Sequence, residues 1–271
     1  MERLRSGAAA LGIDLDADRL SRFQAYFEGL VSWNRRTNLT RIVERDQVQV
    51  LHFLDSLTVA LALPGSVLET GRVLDVGTGA GFPGVPLKIA FPAIRLGLLE
   101  SASKKIGFLE WLVERLGLSG VVEVHAGRAE TLGRQPDLRG RFDAVFARAV
   151  GPMPVVAELT LPFLRVGGLL VAQRRGNLAR QVEDAAVAIA ALGGGAARVR
   201  NIELPGLSDG RALVVVEKLT PTPDRYPRRP GAPSKRPLGV RASRTGAAEP
   251  SGMAGGPMTG APRTSEHGGP P

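Results

Sequence analysis

The stretch Val73-Leu-Asp-Val-Gly77-Thr-Gly79-Ala-Gly81-Phe-Pro-Gly84 decides the reading of this chain. A short apolar run ends in an acid, meets a cluster of glycines, and leads into a segment where Pro83 and Pro86 stand at a helix start. Glycines let the backbone turn tightly and approach a bound molecule where a Cβ would clash, at the carboxyl end of a strand where open α/β sheets hold ligands. The stretch therefore reads as a nucleoside-cofactor loop. Its Gly79-x-Gly81-x-x-Gly84 spacing also fits the dinucleotide fingerprint, with Glu100 at the end of the next strand to hold ribose hydroxyls. Three features favour S-adenosylmethionine: Asp75 just before the loop, a first glycine already at Gly77, and the two prolines. An acid at the strand end suits a cofactor with an ammonium and a sulfonium better than one presenting a pyrophosphate to the helix N-terminus. An NAD-dependent oxidoreductase is the alternative, but hydride transfer to a carbonyl calls for a placed proton donor that the sequence does not identify.

Outward from the loop, residues 71–220 alternate short apolar runs with helical patterns: RVLDV, PLKIAF, IRLGLLE, KKIGFLEWLVERL, VVEVHA, FDAVFARA, VVAELTLPFL, GLLVAQ, LARQVEDAAVAIAAL, ARVRNIEL and RALVVVEKL. Strand and helix in turn imply crossovers and a parallel sheet covered on both faces. The last two runs follow without a helix between them, so the final strand is expected to be antiparallel. The fold class is α/β: a Rossmann-like, mainly parallel twisted sheet, preceded by N-terminal helices and followed by a disordered tail. Residues 1–70 form the helical segment packed on the core. Two helices are expected between Asp16 and Leu63, one carrying Leu20, Phe23, Phe27 and Leu30 at helical spacing after the capping candidates Asp16 and Asp18, the other being DQVQVLHFLDSLTVALAL. Asn34 and Asn38 are read as a cap and a turn residue.

Of 271 residues 44% are hydrophobic and none is cysteine, which excludes a disulfide framework, a Cys-ligated zinc and a thiol nucleophile. No uninterrupted apolar stretch nears the length of a membrane span, and the expected location is the cytoplasm. The net charge of +9 points toward a polyanion. Residues 221–271 carry eight Lys or Arg against three acids, and 20 of these 51 residues are Pro or Gly. Within them, residues 221–240 read as a basic, Pro-rich strap able to follow an RNA backbone, with a solvated tail as the other reading; residues 241–271 are expected to lack fixed structure. No metal site is expected: His52, His125 and His267 are isolated from one another in sequence. No surplus apolar stripe stands out, so a monomer is expected.

Several motifs together resemble the RsmG (GidB) methyltransferases over residues 27–239: WNRRTNLT (Trp33 to Thr40), HFLDSL (His52 to Leu57), LDVGTGAGFPGVPL (Leu74 to Leu87), SKKIGFL (Ser103 to Leu109), GRAE (Gly127 to Glu130), ARAV (Ala147 to Val150) and PDRYPRRPGAPSKRPL (Pro223 to Leu238). The resemblance implies a bacterial class I methyltransferase that uses S-adenosyl-L-methionine to methylate N7 of one guanine in 16S ribosomal RNA, on free RNA or on the small subunit. It also implies that Gly77 and Phe82 line the cofactor, that Glu100, Ser101 and Ala102 lie on its ribose side, that Ala129 and Glu130 meet its adenine end, and that Arg148 completes the pocket. Asp75 and Gly79 join this set from the loop itself. After the fifth strand relatives commonly carry Lys-Gly, whereas this chain has Gln173-Arg174-Arg175-Gly176. Arg175 keeps the charge, and with Arg228, Arg229, Lys235 and Arg236 it is a candidate RNA contact. Attack by N7 needs no general base, so no catalytic acid or base is assigned. A non-catalytic, RNA-binding ribosome assembly factor is a further alternative.

Overall fold

The computed structural model describes residues 1–204 and 209–240, and Met1–Val240 forms one compact unit. Residues 241–271, expected to lack fixed structure, lie outside the described residues. The chain opens with helices α1 (Glu2–Ala10) and α2 (Ala17–Thr37). A continuous helical run follows: it starts as α3 (Arg45–Val48), widens into a π-helical turn over Gln49–Leu54, returns to α4 (Asp55–Leu57) and tightens to a 3₁₀ turn over Thr58–Ala62. After α5 (Gly65–Thr70), strands and helices alternate: β1 (Arg72–Val76), α6 (Gly84–Ala90), β2 (Arg95–Glu100), α7 (Ser103–Arg115), β3 (Val122–Ala126), α8 (Ala129–Leu132), β4 (Phe142–Arg148), α9 (Met153–Thr160), β5 (Leu164–Arg174), α10 (Leu178–Ala191), β6 (Arg198–Asn201) and β7 (Ala212–Glu217). A last short turn of helix, α11 (Ala232–Lys235), lies in the strap.

The seven strands are ordered β3-β2-β1-β4-β5-β7-β6, and every pairing is parallel except those of β7. The expected antiparallel last strand is thus β7. Successive strand residues serve opposite faces, as the two-residue period demands. Val73, Leu98, Phe146, Val171 and Leu213 join one core cluster with Phe23, Tyr26, Leu30 and Phe53 of the N-terminal helices, while Leu74, Leu99, Val145, Leu170 and Val214 join another with Met153, Val156, Ala188 and Ile189 of α9 and α10. Parity therefore assigns Asp75, Arg148 and Gln173 to the N-terminal helical face. Burying aromatic side chains such as Phe23 and Phe53 stabilises by about 1.5–3 kcal/mol each, which is what fastens the helical layer to the sheet.

Asp16 caps α2 by accepting from the Arg19 amide at 2.8 Å, and Asp18 sits in the first turn. Asn38 ends α2 in the left-handed region (φ 48°), and Asn34 brackets the next turn by accepting from the Thr40 amide and donating to its carbonyl. Pro83 precedes α6 and Pro86 lies in its first turn, where a missing N–H is harmless. Helix α1 precedes the expected helical opening. Its buried positions are Leu4, Gly7 and Ala8, and so little side chain leaves almost no periodicity to read. Gly7 lets α1 approach closely, since a Cβ there would meet the methyl end of the Leu54 side chain and force it to move.

The strap is fastened to the protein. Arg139 donates to the carbonyls of Thr222 and Tyr226, Arg134 donates to those of Asp224, Arg225 and Pro227, and Thr222, Pro227 and Pro233 are buried. Arginines reaching from the loop before β4 thus satisfy backbone that a Pro-rich segment cannot pair for itself.

Candidate functional site

The loop after β1 turns through Gly77 (φ 68°) and Gly79 (φ 62°), a conformation that side-chain-bearing residues rarely adopt. Asp75, wholly buried, anchors it from below: Oδ2 accepts from the Thr78 hydroxyl at 2.6 Å and from the Gly84 amide at 2.8 Å. Its Oδ1 has no hydrogen-bond partner among the described residues, and burial pushes its pKa up to about 7. Glu100, at the end of β2, faces the loop. Its carboxylate accepts from the amides of Ser101 (2.8 Å), Ala102 (2.9 Å) and Gly79 (3.0 Å). A Cβ placed on Gly79 meets nothing nearer than the Gly77 carbonyl at 4.0 Å, so the space over the loop is open.

The other expected site residues fall into two groups. Ser101 and Ala102 are exposed at the β2 end, beside Glu100, and Ala129 and Glu130 begin α8 after β3. Glu130 is buried and already accepts from the Gly231 amide of the strap at 2.8 Å. The Phe82 ring is turned into the helical layer, stacked on His52 (centroids 4.6 Å apart) and Tyr26 (5.4 Å). Tyr26 also donates its hydroxyl to the Ala80 carbonyl, tying α2 to the loop. Of the candidate RNA contacts, Arg229, Lys235 and Arg236 are exposed on the strap, whereas Arg228 is paired with the wholly buried Glu158 at 2.6 Å and also donates its amide to it. Arg175 is half exposed and lies 3.1 Å from Asp209.

Arg148, at the end of β4, is held by residues of the second helical run. It donates to the Leu51 carbonyl (2.8 Å) and to His52 Nδ1 (3.2 Å), and its Nη1 lies 3.2 Å from Asp55 Oδ2 without hydrogen-bond alignment. Since Nδ1 accepts, His52 carries its proton on Nε2 and donates to Thr40 Oγ1 at 2.8 Å. Asp55 also meets Arg211 of the loop before β7 at 2.5 Å, so one carboxylate stands between two buried guanidiniums. The motif HFLDSL contains His52 and Asp55 without disclosing what either touches, and nothing in the sequence singles out Tyr26 or Arg211. Two ionisable residues three apart, with no other ionisable side chain between Val48 and Leu63, are the available signal for the first pair; Arg211 gives none. Ala149, next after Arg148, has φ 55°, a strain costing of order 1–3 kcal/mol that clusters at functional positions.

Beside Arg148 opens a cavity of about 400 Å³, between the second helical run and the carboxyl ends of β4 and β5. Arg148, Arg174, Arg175 and Arg211 give it a positive wall, which suits a polyanion.

Burial and the nearby Arg148 charge push the His52 pKa down to about 3. An unfolded histidine titrates near 6.5, so below that pH the unfolded chain takes up a proton that the folded ring refuses, and stability falls by about 1.4 kcal/mol per pH unit down to about 3. Asp75 acts oppositely, keeping a proton below about 7 that the unfolded chain releases above about 3.9. Between about pH 4 and 6.5 the two offset each other. In urea titrations His52→Gln is therefore expected to gain stability relative to the wild type as the pH drops from 6.5 to 4.5, by roughly 2–3 kcal/mol. Parallel pH profiles for the two proteins would show that His52 is not held neutral.

The sheet order, the loop after its first strand and the carboxylate at the end of its second define a Rossmann-like methyltransferase fold. A structure described as a predicted O-methyltransferase from Agrobacterium tumefaciens matches it with a TM-score of 0.50 at 19% identity, over 61% of this chain and 81% of that one, a likeness of fold alone. The model of the GidB family, rRNA small subunit methyltransferase G, matches residues 19–204. The chain is 48% identical to ribosomal RNA small subunit methyltransferase G of Dehalococcoides mccartyi (strain CBDB1), over 88% of its own length and all of that protein, and 43% identical to the protein of that description in Exiguobacterium sibiricum, over 85% and 96%. This chain belongs to the rRNA small subunit methyltransferase G family. Neither the oxidoreductase nor the non-catalytic reading finds support among these relatives. Among the described residues no helix is long and apolar enough to cross a membrane.

Proposed function

We propose that this methyltransferase transfers the methyl group of S-adenosylmethionine to N7 of a guanine in small-subunit ribosomal RNA. The observation that carries the reading is the placement of an open glycine loop faced by Glu100 directly beside an arginine-lined cavity, with Arg148 between the two. The residues present fit the cofactor. Gly79 leaves room above the loop, the Glu100 carboxylate sits where ribose hydroxyls can donate to it, and Asp75, once ionised above about pH 7, adds negative charge beneath a cation. Gly77 and Phe82 belong to the loop wall, Ser101 and Ala102 to the ribose side, and Ala129 and Glu130 to the adenine end.

Bound there, S-adenosylmethionine supplies an electrophilic methyl group. Guanine N7 carries its lone pair free of a proton, so the protein needs no general base. Its residues act by orientation, which can lower a barrier by many kcal/mol when the reacting atoms are held in line. Arg148 lines the cavity and lies over the Phe82 ring of the loop, between the two compartments. The exposed Arg229, Lys235 and Arg236 offer the strap's charge to RNA phosphates, while Arg228 serves to dock the strap. The test is transfer of labelled methyl from S-adenosylmethionine to small subunits lacking the mark and to protein-free 16S RNA, with the modified base mapped. Label on a guanine N7 is expected. Label on another atom would overturn the N7 assignment, and no label on either substrate would overturn the reading as a whole.

A further inference from the structure

The wall of the cavity beside Arg148 buries an acceptor that nothing among the described residues satisfies. Gln173, near the end of β5, is 9% exposed. Its Nε2 donates to the Asp55 carbonyl at 2.7 Å, which fixes the orientation of the amide and points the other end away from the helix. Its Oε1 has no hydrogen-bond partner among the described residues, although it lies in a wall rich in donors. Two of those donor groups are engaged elsewhere, Arg211 by Asp209 and Asp55, and Arg174 by Gln181 and the Gly151 carbonyl. A buried, unpaired carbonyl costs about 1–3 kcal/mol, and a binding site is where such a cost is recovered, on the arrival of a ligand that donates.

We infer that this cavity receives the acceptor base and that Gln173 Oε1 reads the N1–H and 2-amino group of guanine, which makes Gln173 a specificity-determining residue. The inference rests on the methyl transfer proposed above. Its volume of about 400 Å³ lies in the range of small-molecule sites. The sheet order gives the direction. The glycine loop ends β1, Arg148 ends β4, and Gln173 lies one strand further on, in β5. A base entering with N7 toward the loop turns its Watson–Crick edge away from it, toward β5. Guanine alone among the RNA bases carries a ring N–H next to an exocyclic amine donor on that edge. Adenine in the same pose would present a lone pair and a C–H, leaving Oε1 unpaired. The Nη1 of Arg148, not aligned with any acceptor, stands on the loop side of Gln173 and can donate to O6.

The experiment compares subunits reconstituted with guanine or with inosine, which lacks the 2-amino group, at the methylated position, using wild type and Gln173→Leu. The wild type is expected to lose at least about tenfold in kcat/KM on inosine, the discrimination typical of one lost hydrogen bond in a polar site. Gln173→Leu is expected to lose a similar factor on guanine and to treat the two bases alike, with its affinity for S-adenosylmethionine unchanged. Equal use of guanine and inosine by the wild type would overturn the inference while leaving the methyl-transfer reading intact. So would a variant that is slower on both bases by one factor and still discriminates. If Gln173→Leu proves unstable, the comparison of the two bases on the wild type decides alone. No methylation of guanine by the wild type would instead sink the underlying reading.

Discussion

Gly77→Arg is expected to remove cofactor binding and methyl transfer while the protein still folds. Gly77 is exposed at the mouth of the loop, at φ 68°, and a Cβ there comes within 3.0 Å of Val150 Cγ2. The left-handed backbone conformation costs a side-chain-bearing residue about 1–3 kcal/mol, a modest part of a domain's stability. The larger effect is local: a long cationic side chain enters the space where a sulfonium cofactor is proposed to sit. A loss of at least about 2.8 kcal/mol in binding, two decades in Kd, is expected by calorimetry, with circular dichroism showing an intact fold. Affinity within a factor of ten of the wild type would mean that this loop does not hold the cofactor.

Asp55→Ala is expected to have the largest effect on stability. The Asp55 carboxylate is the nearest negative charge to Arg148, and it shares Arg211, whose side chain is 3% exposed, with Asp209. Removing one partner of a buried ion pair leaves an uncompensated charge and costs about 3–5 kcal/mol, whereas an exposed pair is worth less than about 1 kcal/mol. The retained Asp209 places the expected loss toward the lower end. Equilibrium urea unfolding measures it, and Asp55→Asn, which keeps the shape and an acceptor, should fall between variant and wild type. A loss under about 1 kcal/mol would show that water already reaches these charges.

Both predictions concern residues whose meaning the sequence disclosed unequally. Gly77 was legible because a ligand-binding turn leaves its glycines contiguous with the strand that supplies it. The strands were legible because RVLDV, IRLGLLE and ALVVVE bury both faces and so read as short apolar runs bounded by polar turns. Asp55, Arg148 and Arg211 were not legible as a network, since each lies on a different element and a charge in a sequence looks the same whether it will be buried or solvated. Arg134 and Arg139 are a similar case. They read as ordinary surface charges in a linker and turn out to hold the strap by its backbone. Gln173 stood out only as a departure from the Lys-Gly of relatives; its unpaired oxygen depends on the Asp55 carbonyl, 118 residues away in the chain.

The π-helical turn over Gln49–Leu54 has a consequence for how this segment can change over evolutionary time. Such a turn holds one residue more than a regular α-helical turn, and it lies between the face that packs on α1 and the face that delivers Asp55 to the two arginines. Deleting one residue would let the helix become regular without breaking it, but would rotate one face against the other by about 100°. His52 and Asp55 could then no longer meet Arg148 while the helix kept its seat on Leu4 and Gly7. The length of this turn cannot be altered without re-addressing the charge at the end of β4.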